Sequence, residues 1–353
     1  MIHVFGFTVT WFQSIAAVAG IGILVFIHEL GHFIMAKYFS LKVEQFAFGF
    51  GPEIVGFTYG ETRYSLNAIP LGGMVKMTGE SADTATGSPD EFMSQPWYKR
   101  FLIAFSGPFM NYLLAVILFI IVITVWGVQQ PSSKPIIGEV LAGYPAATAG
   151  FKPGDLVTGI DTVAVHDWEE LSGYIHRFPG KPLSFSIDRK GVRSSITVTP
   201  SKDAASGIGL IGIAPCIETQ TVGLGEAVSA SVRMVIFQSV FTLEYLGQKI
   251  VRWEKPDLAG PIGVVQILAK AADAGWASLF HLLAVISVAL GLFNLLPIPL
   301  VDGGHMTLSL IEAVFRRPLG KRAVVMVNYV GLFVIVSVFL FATYSDIVRI
   351  ATK

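Results

Sequence analysis

Cysteine and charge are both scarce in this sequence. A single cysteine, Cys216, stands among 353 residues. That excludes an intramolecular disulfide and any cysteine-rich zinc site, and the lone thiol is read as a small buried side chain. Asp, Glu, Lys and Arg make up 14% of the chain, whereas a soluble domain carries about a quarter. Much of the surface therefore does not face water. The charges cancel to a formal net of zero, so no whole-chain field favours nucleic acid, and none is expected as a partner.

What fills the sequence instead is apolar, 53% of the residues. About four stretches reach the roughly 20 residues that a helix needs to cross a bilayer: Ile15 to Tyr38, Phe101 to Trp126, Leu282 to Leu300 and Val324 to Thr343. The expected fold is a polytopic α-helical membrane protein with the lipid bilayer as partner. The first run is read as a retained span, not a cleaved signal peptide. It has no basic start, continues through His28 to His32, and precedes no clear small-residue cleavage site.

Between spans one and two, Phe46 to Met77 is rich in Gly, Phe, Tyr and Val and alternates in Thr62-Arg63-Tyr64-Ser65-Leu66, which predicts a membrane-associated β-hairpin region. Ser81 to Asp90 is small and polar and is expected to be a mobile loop. Between spans two and three, Ile136–Val140, Leu156–Ile160, Leu183–Ile187 and Ser195–Val198 read as strands around a helix at Trp168 to His176. From Gly225 to Trp253 the pattern is helical, with Arg233, Glu244, Lys249 and Arg252 among apolar residues. It is a fifth span or a helix lying on the membrane, and the spaced charges favour the second. The chain then divides into a membrane part at 1–130, a β-rich domain at 131–202, a following region with an amphipathic helix at 203–275, and a second membrane part at 276–353.

Arg316, Arg317, Lys321 and Arg322 place the loop between spans three and four in the cytoplasm. The first-to-second loop follows, with Lys37, Lys42, Arg63, Lys76, Lys99 and Arg100, and the β-rich domain and both termini lie outside.

The chemistry is carried by His28-Glu29-Leu-Gly31-His32. Histidines four apart share a helix face and can hold one zinc, with Glu29 beside it as general base. In a membrane helix each charged residue costs on the order of 3 kcal/mol, so a compensating metal is the better reading than a chance pentapeptide. A catalytic zinc wants a third protein ligand and an open position. Asp302 is the first candidate. It ends span three in Asn294-Leu-Leu-Pro297-Ile-Pro299-Leu-Val-Asp302-Gly303-Gly304-His305, where two prolines and two glycines are expected to unwind the helix. His305 is the rival. His3, His166, His176 and His281 are given no role.

His28-Glu29-x-x-His32 with Asn294-x-x-Pro297-x-Pro299-x-x-Asp302-Gly303 resembles the site-2 protease family of intramembrane zinc metalloproteases, the bacterial regulator-of-sigma-E type in particular. Gly107-Pro108-Phe-Met-Asn111, Asn67-x-x-Pro70-Leu-Gly72-Gly73, Ala259-Gly260-Pro261-Ile262-Gly263 and Pro145-Ala-Ala-Thr-Ala-Gly150-Phe-Lys-Pro153-Gly154-Asp155 are similar to further elements of that family, the last to its PDZ domains. The resemblance implies a zinc metalloendopeptidase of the inner membrane with one zinc per chain on His28, His32 and Asp302. It implies Glu29 as the base, and Asn111, Asn294, Asn67, Gly72 and Gly73 as residues that bind substrate. Val301 replaces the family's usual leucine, and the chain holds one PDZ module where well-known members hold two.

Implied substrates are single-span membrane proteins, such as anti-sigma factors after a first cut, or remnant signal peptides. A helical substrate must be opened before cleavage, and a hairpin edge at Tyr59–Met77 can receive it as an added strand. The PDZ module is a receptor for a newly exposed C-terminus or a gate against untrimmed substrates. The alternatives are a metal transporter or sensor, which has no need of Glu29 or a PDZ module, and an inactive scaffold, against which the intact site speaks.

Overall fold

The structure is a computed structural model and describes residues 2–4, 7–9, 11–80, 85–203, 206–254, 260–317 and 320–351. Residues 81–84 of the expected mobile loop, and Ala259, lie outside these. The chain forms two compact units: 1–125 together with 223–353, and 126–222.

The first unit begins with a short ribbon of β1 (Ile2–Val4) and β2 (Phe7–Val9). The long helix α1 (Trp11–Tyr38) follows. β3 (Val43–Tyr59) and β4 (Thr62–Met77) then turn at Gly60-Glu61. The hairpin is thus twice as long as the expected Tyr59–Met77, whose first residues are the turn itself. Gln45–Phe48 pairs on two sides, with Arg63–Leu66 and with Gly73–Lys76. This places Ser65 in the middle of the sheet and Gly73–Met77 along its border. Phe46, Val75 and Met77 pack with Ala36, Leu41 and Ile103 against the end of α1. The next helix, α2 (Trp97–Trp126), carries Pro108 without breaking.

The second unit is β-rich. It contains β5 (Val128–Pro131), β6 (Ile137–Val140), α3 (Pro145–Ala149), β7 (Leu156–Ile160), β8 (Val163–Ala164), α4 (Trp168–Arg177), β9 (Leu183–Arg189), β10 (Val192–Val198), β11 (Ser201–Lys202), β12 (Gly209–Leu210), β13 (Ile213–Pro215) and β14 (Ile217–Gln220). Four strands run in the order β10-β9-β7-β8. Asp167 caps α4 by accepting from the Glu170 N–H at 2.7 Å. Ile137, Val157, Ile160, Leu171, Phe185 and Ile187 form its core. The unit extends beyond the expected 131–202 because β13 pairs with β6 and β14 with β5. Cys216 is a free, half-buried thiol within it.

The first unit resumes with α5 (Leu224–Val251), α6 (Pro261–Asp273), α7 (Trp276–Leu295), α8 (Asp302–Phe315) and α9 (Lys321–Ala351). Ala17, Leu24, Leu268, Leu279 and Leu283 join α1, α6 and α7. Ala115, Phe119, Val235, Ala284 and Val288 join α2, α5 and α7. Among the described residues, five helices are long and apolar enough to cross a membrane: α1, α2, α5, α7 and α9. The expected four are among them, and α5, the least apolar, is the addition. The expected third span also ends sooner. α7 stops at Leu295, and Asp302 opens a separate helix after a break at Pro297 and Pro299. The two glycines do not unwind this segment. They lie buried in the first turn of α8, where a Cβ on Gly303 would fall 1.9 Å from the Leu296 carbonyl oxygen and one on Gly304 2.5 Å from that of Ile298. They let the new helix sit against the break.

Candidate metal centre and active site

His28 and His32 lie one turn apart on α1, both buried. Their Nε2 atoms are 3.2 Å apart. Asp302, at the start of α8, directs Oδ2 to within 3.0 Å of His28 Nε2 and Oδ1 to within 3.3 Å of His32 Nε2. One ligand atom from each of the three lies within 4.8 Å of the others. Asp302 Oδ2 is buried and receives no hydrogen bond, a costly state for a carboxylate oxygen. An orphaned oxygen converging with two imidazole nitrogens fits a divalent cation that takes nitrogen and oxygen ligands, as zinc does.

Each histidine is held from behind by α2. His32 Nδ1 is 2.7 Å from the Ile103 carbonyl, so this nitrogen carries the proton and Nε2 is left free for a metal. The Asn111 amide is 3.0 Å from His28 Nδ1, fully buried, and its backbone carbonyl accepts from Ser287 Oγ at 2.8 Å. Gly107 passes so close that a Cβ there would lie 2.3 Å from His32 Nε2. A Cβ added to Gly31 on α1 would lie as close, 2.3 Å, to the Ser106 carbonyl oxygen, so glycine at both positions lets the two helices approach closely.

Glu29 points to the border of the hairpin, where its Oε2 accepts from the Val75 N–H at 3.2 Å. Two residues on, the Met77 N–H donates to Glu80 Oε2 at 3.4 Å. Alternate N–H groups of β4 therefore point away from β3 and toward the site. They open into a cleft of about 400 Å³ lined by His28, Glu29, His32, Glu80, Asp302 and His305 among others. Burial pushes the Glu80 carboxyl above its ordinary value, and the hydrogen bond from the Met77 N–H opposes this only partly.

The expected residues divide clearly. Glu29, His28, His32, Asp302, Asn294 and Gly73 line the cleft. Asn67, Gly72 and Asn111 do not. Asn67 is buried in the hairpin, where its Nδ2 donates to the Gly49 carbonyl at 3.1 Å. Gly72 supplies a φ of +107° at the bend before the border strand, a region other residues rarely adopt. His305 lines the cleft but stands edge-on to Phe92 at 6.1 Å, outside the ligand trio. His281 packs edge-on to Phe119. Sequence reading passed over Glu80, whose only signal is its place just after β4. It also counted Arg100 as a loop charge, whereas Arg100 is buried in an ion pair with Glu312 of α8.

Two imidazoles one helical turn apart, a carboxylate from a broken segment and an adjoining glutamate, set among long apolar helices, define the metallopeptidase class that works in membranes. The model of peptidase family M50 matches residues 16–338, and the chain belongs to that family, the site-2 proteases. A candidate zinc metalloprotease of Clostridium acetobutylicum is 33% identical over 96% of this chain and 98% of its own. Zinc metalloprotease RasP of Geobacillus kaustophilus is 30% identical over 92% and 95%. Two solved PDZ domains, from SdrC-like proteins of Listeria innocua and Listeria monocytogenes, align at 21% and 25% identity. They cover 25% and 24% of this chain and 99% and 90% of theirs, with TM-scores of 0.22 and 0.21.

Proposed function

We propose that this zinc metalloprotease cleaves single-span membrane proteins in or near their transmembrane segments. Its substrates are anti-sigma-factor-like proteins already cut once, or remnant signal peptides. The observation that carries the reading is Glu29, placed between the two-histidine, one-aspartate cluster and the open border of β4. One zinc per chain, held by His28, His32 and Asp302, supplies Lewis acidity and makes water at the site more acidic. Glu29 takes the proton of the attacking water and returns it to the leaving amine. Asn111 and the Ile103 carbonyl fix the two imidazole rings.

The border strand Gly73–Met77 receives the opened substrate as an added strand. The N–H groups of Val75 and Met77 support this, since they already point into the cleft, where they donate to the carboxylates of Glu29 and Glu80. Asn294 and Gly73 are the substrate contacts among the expected residues that this arrangement favours. The metal site lies toward the cytoplasmic face of the bacterial inner membrane and the β-rich module outside, a reading supported by Arg316 and Arg317 just after α8 and Arg322 at the start of α9. The module acts on the substrate's outer part, as a PDZ-type receptor or gate.

The test is Glu29→Gln in purified, membrane-reconstituted protein with a model single-span substrate. Cleavage is expected to disappear while zinc content stays unchanged. Retained cleavage would refute a peptidase using Glu29, and a transporter or inactive scaffold would show no cleavage in the unaltered protein either.

A further inference from the structure

α8 begins with a metal ligand yet is thinly held. After its first turn it buries one residue, Ser309. Leu310, Val314 and Phe315 are exposed. It is tied to α2 by Glu312, whose carboxylate meets the Arg100 guanidinium, each side chain about one-tenth exposed. Arg100 is itself anchored, its Nε donating to the Gln95 carbonyl at 3.0 Å. Gln95 in turn donates to the Glu91 carbonyl at 3.3 Å. Glu312 stands ten residues after Asp302, about 15 Å along the helix. Arg100 stands one turn before Ile103, whose carbonyl holds the His32 ring. One turn of α2 thus grips both parts of the site, the histidine helix through Ile103 and the aspartate helix through Arg100.

We infer that the Arg100–Glu312 pair is a positioning device that holds α8, and with it Asp302, in register with His28 and His32. A buried ion pair is a poor source of stability, because desolvating both charges consumes most of their attraction. An apolar pair of similar volume would hold the helices as firmly. It would lack the directional, charge-assisted hydrogen bond from the Arg100 guanidinium to the Glu312 carboxylate, which orients α8. This inference rests on the reading of His28, His32 and Asp302 as the metal site.

The experiment measures the zinc dissociation constant by chelator competition, the thermal midpoint of the zinc-free protein, and kcat and KM. It is done on the full chain in lipid nanodiscs. Two variants are compared with the unaltered protein: Glu312→Gln, and Arg100→Met combined with Glu312→Leu. Both are expected to bind zinc more weakly, by up to the roughly tenfold that loss of a direct outer partner costs at the low end, and to lose kcat with KM unchanged. The apolar pair is expected to keep the thermal midpoint. A purely structural pair would give the opposite result: the apolar pair would bind zinc as tightly as the unaltered protein, and that would overturn the inference. Should the apolar pair not accumulate, Arg100→Glu with Glu312→Arg decides. Zinc affinity nearer to that of the unaltered protein than to that of Glu312→Gln supports positioning, and affinity as weak as that of Glu312→Gln overturns it. Absence of zinc binding by the unaltered chain would instead sink the metal-site reading.

Discussion

Gly107→Ala adds one methyl group at the point where α2 passes the two histidines. The added Cβ would stand 2.3 Å from His32 Nε2, 2.5 Å from His32 Cε1 and 2.8 Å from His28 Cε1, all inside the 3.0 Å that Cβ atoms keep from other heavy atoms. The neighbours cannot swing away freely. His32 is tied by Nδ1 to the Ile103 carbonyl, and His28 is backed by Asn111. Metal–ligand distances tolerate only about 0.2 Å, so a displaced imidazole ceases to be a ligand. Zinc affinity should fall by about 100-fold or more, beyond the range seen when an outer partner is lost, and cleavage should fall with it. The helix itself gains, since alanine is more favourable than glycine in a helix interior by about 1 kcal/mol. Helix content by circular dichroism should therefore hold while zinc is lost. Gly247→Ala on α5, where an added Cβ meets nothing within 4 Å, is the matched control and should bind zinc normally. Zinc bound by Gly107→Ala at one equivalent with unaltered affinity would show that His32 Nε2 does not face the metal.

Asn111→Ala separates two roles for that residue: a substrate contact would raise KM alone, whereas the observed contact with His28 Nδ1 predicts zinc binding weakened by about 10–100-fold, measured by chelator competition. In the β-rich module, Asp155 is fully buried and accepts from Arg189 at 2.7 and 2.8 Å and from the Lys152 N–H at 2.9 Å. Burial opposes its charge, but Arg189 prevails and holds the carboxyl below its ordinary value. The stabilisation is therefore full above the ordinary carboxylate range, near pH 4, and is lost as pH falls through the lower folded value. Asp155→Asn should cost about 2 kcal/mol at neutral pH, allowing for the partly exposed Arg189, and should remove this acid dependence. Hydrogen exchange of β7 and β9 amides in the intact chain measures both, and equal protection in the two proteins would refute the assignment.

The parts legible in the sequence were those with local signals. Apolar runs marked α1, α2, α7 and α9, because bilayer thickness sets their length. The His28-Glu29-x-x-His32 spacing marked one face of α1. Alternation marked β7 and β9 nearly to the residue. What escaped had no local signal. Prolines at 297 and 299 show where α7 stops but not that a new helix starts at Asp302, since Gly303 and Gly304 look like further breakers until their backbone contacts are seen. β11 to β14 are two to four residues long, too short to alternate; β11 pairs with β12, and β13 and β14 join the module by pairing with β6 and β5. Arg100 and Glu312 are 212 positions apart, so a charge that seemed a cytoplasmic marker proved to be a tie between helices.

The site's own geometry constrains how the chain threads the bilayer. Asp302 follows the end of α7 and meets His28 and His32 in the second half of α1, beside Ile103 and Gly107 in the first half of α2. The end of α1, the start of α2 and the end of α7 therefore share one side of the membrane. α2 carries the chain to the other side, and α7 must begin there. Between the module and α7 the chain has α5, long enough to cross, and α6, with only 13 residues. A helix needs about 20 to cross, and unpaired backbone does not cross in contact with lipid. If α5 crossed, no described helix could bring the chain back to where α7 starts. We therefore propose that α5 enters the bundle from the module's side and leaves on the same side. Its Val235 and Ser239 rest on α2 and α7, and its charges at Arg233, Glu244 and Lys249 stay within reach of water. This reading leaves four crossings, by α1, α2, α7 and α9, and agrees with where the metal ligands meet.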